Sequence, residues 1–127
     1  MKVGIKNQIK KTVSSDLTAK AMGSGRLDVF ATPAMVAMME EAAHTSVEAE
    51  LEEGQGTVGT SMTVSHLAAT PVGMEVTCES ELIGVDGRKL VFEIKAMDEA
   101  GLIGEAKHER FIIDSEKFLA KTNAKLK

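Results

Sequence analysis

The stretch from Thr32 to Gly54, TPAMVAMMEEAAHTSVEAELEEG, constrains the fold more than any other, because it reads as one long amphipathic helix set ahead of a run of strands. Thr32 suits a helix cap that accepts a backbone N–H, and Pro33 suits the first turn, where its missing donor would be unpaired anyway. Gly54 marks the stop. Met35, Met39, Ala43, Val47 and Leu51 recur at i, i+4 with Val36 beside them, an apolar stripe about a third of the way round the helix. At about 100° per residue Glu40 falls roughly 60 to 80° from the middle of that stripe, whereas Glu41, Glu48 and Glu52 point away. Glu40 is therefore the helix carboxylate expected to be part buried; judged on the helix alone, it is a snorkelling edge residue.

After Gly54 and Gly56 the apolar period changes from 3.6 to 2. Val58, Thr60, Met62, Val64 and His66 share one face of a strand, with His66 beside a loop containing Pro71 and Gly73. Met74, Val76, Cys78, Ser80 and Leu82, then Leu90, Phe92, Ile94 and Ala96, are the inward sets of two strands joined by a tight turn at Asp86 and Gly87. A last strand runs from Leu102 to Ile113, where Gly104 and Ala106 are small enough for the long helix to pack closely. Upstream, Gln8 to Val13 reads as a short edge strand. Ser14 to Asp28, with glycines at 23 and 25, reads as a mobile cover for a pocket. Ser115 is placed to cap a short terminal helix with a basic end.

One long helix before hairpin-connected strands implies a single α+β domain over residues 1–127, a curled antiparallel sheet wrapped around the helix, which is the hotdog arrangement. Its exposed edge strand favours pairing of two copies into a homodimer. A net charge of −4 with scattered Lys and Arg excludes a general nucleic-acid binder. Cys78 is the sole cysteine, so there is no intrachain disulfide framework; with three histidines it offers no zinc spacing, and on an apolar strand face it reads as core. The N-terminus lacks an apolar core segment and no run is long enough to span a bilayer, so a soluble cytoplasmic protein without membrane contact is expected.

Three blocks, VFATPAMVAMMEEAA, GTVGTSMTVSHLAATPVG and GEAKHERFIID, occur in this order between Val29 and Phe118 and together resemble the fluoroacetyl-CoA thioesterase family of hotdog proteins. The resemblance implies a catalytic set of Thr32, Glu40 and His66, with Gly59 and Arg110 contacting substrate and no cofactor or metal beyond the CoA thioester itself. Thioester hydrolysis needs an attacking water or carboxylate, a proton acceptor and donors for the developing oxyanion. Glu40 either attacks the acyl carbon or positions water, and His66 is the natural acid/base and a substrate contact. Thr32 supplies a hydroxyl as well as a cap, and backbone N–H groups near Gly59 and Thr60 lie where a glycine lets the thioester oxygen approach. Arg110 suits a phosphate or carboxylate, or alternatively a structural ion pair. His108 shares strand parity with Arg110 as a packing partner, and His44 is a flank residue.

The family's named member covers its pocket with aromatic side chains, whereas AMGSGRLDVF carries only Phe30, so a fluorinated acyl group is not implied here. The expected activity is hydrolysis of a small or medium acyl-CoA. The alternatives are a non-catalytic acyl-CoA binding or sensing module on the same fold, or an enoyl-CoA hydratase.

Overall fold

The computed structural model describes residues 1–126. Its strands are β1 (Lys6–Thr12), β2 (Gln55–His66), β3 (Glu75–Asp86), β4 (Lys89–Asp98) and β5 (Gly101–Asp114), and its helices are α1 (Ala19–Met22), α2 (Thr32–Ser46) and α3 (Ser115–Asn123). The strands form one antiparallel sheet in the order β1-β3-β4-β5-β2, so β1 and β2 are its edges.

Helix α2 lies against one face of this curled sheet and buries Ala34, Met35, Met38, Met39, Ala42 and Ala43. The sheet contributes Val76, Cys78 and Leu82 from β3, Leu90, Phe92, Ile94 and Ala96 from β4, and Ile103 and Ala106 from β5. These are the alternating inward positions expected from a period of 2, because one face meets the helix and the other meets water. Burial pushes the Cys78 thiol up to about 12, consistent with a core residue and not a nucleophile. Close approach of the helix to β5 depends on Gly104, where a Cβ would lie 2.7 Å from Met35 Sδ. Among the described residues no helix is long and apolar enough to cross a membrane.

Several boundaries differ from the sequence expectation. Helix α2 ends at Ser46; a single 3-10 turn, Glu48–Glu50, follows, and Leu51 lies outside the helix. The buried stripe includes Ala34, Met38 and Ala42, which widens it, while Val36 is only half-buried. The N-cap is Ala31 and makes no side-chain cap bond, so Thr32 is the first helical residue and its hydroxyl is used elsewhere. The hairpin turn sits one residue later than expected, at Gly87 and Arg88 between paired Asp86 and Lys89, with Gly87 at φ +61°. Asp114, not Ser115, caps α3 by accepting from the Lys117 N–H.

The most consequential difference is in β2. Its register with β5 shifts between Gly59 and Ser61, leaving Thr60 as the extra residue of a bulge. Gly59 pairs with Arg110 and Met62 with His108. The alternation expected for Val58 and Thr60 is therefore reversed: Thr57 and Gly59 face the helix before the bulge, and Met62, Val64 and His66 do so after it.

Candidate active site

Two polar clusters meet α2, one at its first residue and one at Glu40 in its middle. At its start, Thr32 Oγ1 lies 2.7 Å from His66 Nδ1, joining the first helical residue to the last residue of β2. The Phe30 ring stands edge-on to the imidazole, with centroids 6.5 Å apart and planes at 82°. His66 Nε2 is buried and has no hydrogen-bond partner. Burial lowers the His66 pKa from its ordinary value, the backbone at Ala68 acting in the opposite direction. The ring is therefore neutral near pH 7 and able to take a proton.

A cleft of about 310 Å³ opens here, lined by Ala19, Ser24, Val29, Phe30, Thr32, His66 and Leu67 to Ala69. From the segment Ser14 to Asp28, expected as a mobile cover, Ala19 and Ser24 line this cleft, and α1 packs against the returning residues Leu27 to Phe30. It is tied by Ala19 N–H to the Val29 carbonyl and Lys20 N–H to the Leu27 carbonyl, and Thr18 caps α1 through the Ala21 N–H. Behind the cleft the Phe30 N–H donates to the Thr70 carbonyl, and the buried Thr70 hydroxyl donates to Asp98 at 2.8 Å. The loop after His66 is thus fixed on two sides.

The second cluster is built around Arg110 on β5. Its Nε donates to Thr57 Oγ1 at 2.8 Å and its second terminal nitrogen to the Thr57 carbonyl at 3.0 Å. The remaining terminal nitrogen reaches Glu40 Oε2 and His108 Nε2, both at 3.2 Å. Desolvation lowers the Arg110 pKa from its ordinary value, with the Glu40 charge resisting. Gly59 is the partner of Arg110 across the ladder, and a Cβ there would lie 2.8 Å from Glu40 Oε2. A glycine is what lets the carboxylate lie against the strand.

Glu40 is not singled out by burial, since its side chain and that of Glu41 are equally exposed at 42%. Partner choice separates them: Glu41 pairs with Lys11 on the surface, whereas Glu40 meets a guanidinium that is itself only 8% exposed. Thr60 stands apart from both clusters, its hydroxyl donating to the Glu109 carbonyl at 3.2 Å. His44 pairs with Glu48 on the helix flank.

Of the expected site residues, Thr32 and His66 are brought together, and Glu40, Gly59 and Arg110 are brought together. The two groups are separate within one chain: eight residues of α2 set Thr32 and Glu40 about 12 Å apart along the axis. Seven residues of β2 set Gly59 and His66 roughly 20 Å apart. Sequence reasoning missed Thr57 as a ligand of Arg110 and Phe30 as the wall beside His66. Among the described residues no group of three or more His, Cys, Asp or Glu is arranged to hold a metal ion.

Comparison with known proteins finds relatives over most of the chain. Residues 13–116 match the family described as fluoroacetyl-CoA-specific thioesterase (FlK). The fluoroacetyl-CoA thioesterase of Streptantibioticus cattleyicolor is 45% identical over 98 residues, which is 77% of this chain and 70% of that protein. A crystal structure of the fluoroacetyl-CoA thioesterase FlK superposes with a TM-score of 0.94 at 37% identity, covering 100% of this chain and 98% of the other. A thioesterase superfamily member from Thermus thermophilus superposes at 0.88 with 28% identity, covering 95% of this chain and 90% of the other. With its hotdog fold and a match spanning most of its length, this chain belongs to the fluoroacetyl-CoA-specific thioesterase family.

Proposed function

We propose that this protein is an acyl-CoA thioesterase that hydrolyses a small or medium acyl thioester to the free acid and CoA, and that it works as a homodimer. The observation that carries the reading is the unpartnered His66 Nε2 on a ring held by Thr32 at 2.7 Å beside a 310 Å³ cleft. A mutant of the related FlK protein has been crystallised with fluoroacetate and CoA, which supports a CoA ester as the substrate class. The cleft here is walled by small and aliphatic residues with Phe30 as its aromatic member, which supports an acyl group other than fluoroacetyl.

The homodimer joins what one chain keeps apart. Strand β2 is a sheet edge, and antiparallel pairing of two copies about a twofold axis between Met62 and Thr63 sets Gly59 opposite His66 of the partner subunit. Glu40 and Arg110 of one copy then face the same cavity as Thr32 and His66 of the other. Either Glu40 takes a proton from water as the water oxygen adds to the acyl carbon and the carbon–sulfur bond breaks, or the Glu40 carboxylate itself displaces the thiolate and water then cleaves the acyl–Glu40 anhydride; in both, the CoA thiolate leaves with a proton delivered through His66. The Thr32 hydroxyl and the backbone N–H groups around Gly59 and Thr60 are the donors for the oxyanion, and Arg110 binds an anionic part of CoA. The chemistry needs no metal or cofactor beyond the CoA ester, and a cytoplasmic location fits the unpaired, buried Cys78.

The Glu40–Arg110 pair favours one rival, a module that binds acyl-CoA without turnover, because Glu40 Oε2 is already engaged by the guanidinium at 3.2 Å and is not free to meet a water. A panel of acyl-CoA esters assayed for free thiol separates the two. Thiol release from short acyl esters is expected. Tight binding without thiol release supports the rival, and hydration of an enoyl ester without thiol release supports a hydratase.

A further inference from the structure

One buried titratable side chain has no part in the chemistry just described. His108 is 1% exposed, in the middle of β5, opposite Met62 of β2 and Phe92 of β4. Its Nδ1 lies 2.8 Å from the Ser61 carbonyl, which only accepts, so Nδ1 carries the proton. Its Nε2 lies 3.2 Å from a terminal nitrogen of Arg110, which only donates, so Nε2 presents a lone pair. Two independent partners thus require the same neutral tautomer. Protonating Nε2 would aim one N–H at another and set two cations side by side.

We propose that His108 is the positioning residue for Arg110: its Nε2 lone pair accepts a hydrogen bond from one N–H of the shared terminal nitrogen, and so holds the guanidinium between Glu40 and Gly59. This rests on the reading that Arg110 binds the CoA ester. Without that acceptor the nitrogen turns wholly to Glu40, which both misaligns the guanidinium and draws the carboxylate into a tighter pair. The charged groups facing His108 are Arg110 on its own strand and Glu40 from α2; β2 presents the Ser61 carbonyl and β4 the Phe92 ring, 6.1 Å away between centroids. Burial first, with the Arg110 charge in support, lowers the imidazole's pKa and keeps it neutral.

Two amide substitutions, each reaching the place of one ring nitrogen, separate the proton donor from the acceptor. In His108→Gln the amide oxygen reaches the place of Nε2, whereas in His108→Asn the amide nitrogen replaces Nδ1 and the acceptor is lost. Calorimetric titration with CoA and steady-state hydrolysis of an ester cleaved by the wild type are expected to leave Gln within about threefold of the wild type. Asn should weaken Kd and raise KM by about tenfold or more, with kcat changed by less than about threefold. Equal behaviour of Gln and Asn, or a fall in kcat at unchanged KM, would overturn the role. Nitrogen-15 NMR of the ligand-free wild type at pH 7 should show His108 protonated at Nδ1 and bare at Nε2. The opposite tautomer or a doubly protonated ring would overturn it even if neither variant folds. A wild type that neither binds CoA nor releases thiol would instead overturn the thioesterase reading, and with it the part of His108 in substrate binding.

Discussion

Thr32 shows how one side chain can serve the site and not the fold. A threonine before proline at a helix start is the usual sign of a cap, yet the cap here is Ala31 and the Thr32 hydroxyl is spent on His66. Losing a true cap costs about 1 kcal/mol of stability, so Thr32→Ala should do less than that to the unfolding midpoint. It should lower kcat by about ten- to a hundredfold if the hydroxyl orients the imidazole and donates to the reacting group. Denaturant melts and initial rates measured on the same preparation check this. A large stability loss with unchanged kcat would return Thr32 to the role of a cap.

Strand β2 is the element on which the site turns. Its bulge at Thr60 puts Gly59 under Glu40 and opposite Arg110, and restores the inward face for Met62, Val64 and His66. Gly59→Ala would set a methyl group 2.8 Å from Glu40 Oε2 and 3.3 Å from the Arg110 guanidinium. Displacing the carboxylate by about 1 Å should lower kcat/KM by about a hundredfold while the sheet still forms. Rates near wild type would mean that Glu40 has no fixed place in the reaction. The inward sets of β3 and β4 were legible in the sequence because strict alternation is a local signal, and so was the fit of α2 against Gly104. The bulge was not legible: one extra residue shows itself only against the register of β5, whose partners at the bulge lie 51 residues on for Gly59 with Arg110 and 48 residues on for Ser61 with Glu109. The end of α2 was misjudged for a related reason, since Leu51 keeps helical phase although the chain has already turned after Val47. Glu40 and His66 are singled out in the sequence by the matched blocks; helical angle sets Glu40 apart from Glu41, but the two are equally exposed, and what distinguishes them is Arg110, supplied by a distant strand.

At the scale of the whole molecule, two partly or fully buried imidazoles, His66 and His108, both have pKa values lowered by burial. The native state therefore binds fewer protons than the unfolded state just below the ordinary histidine value of about 6.5. Their contribution is fully present above that value and falls as the pH drops through it toward the folded-state values. Urea unfolding should give lower stability at pH 5.5 than at pH 7.5, with a smaller difference in His108→Gln. Equal or greater stability at the acidic value would contradict the burial of neutral imidazoles.

The proposed hydrolysis depends on a site completed by two copies, Glu40 from one and His66 from the other. Glu40→Gln and His66→Ala should each lower turnover by roughly two to four orders of magnitude as pure proteins. Unfolded and refolded together in equal amounts, they should recover about a quarter of wild-type activity, because half of the dimers are mixed and each mixed dimer holds one intact site. A refolded mixture no more active than either variant alone, although its subunits have demonstrably exchanged, would contradict the shared site.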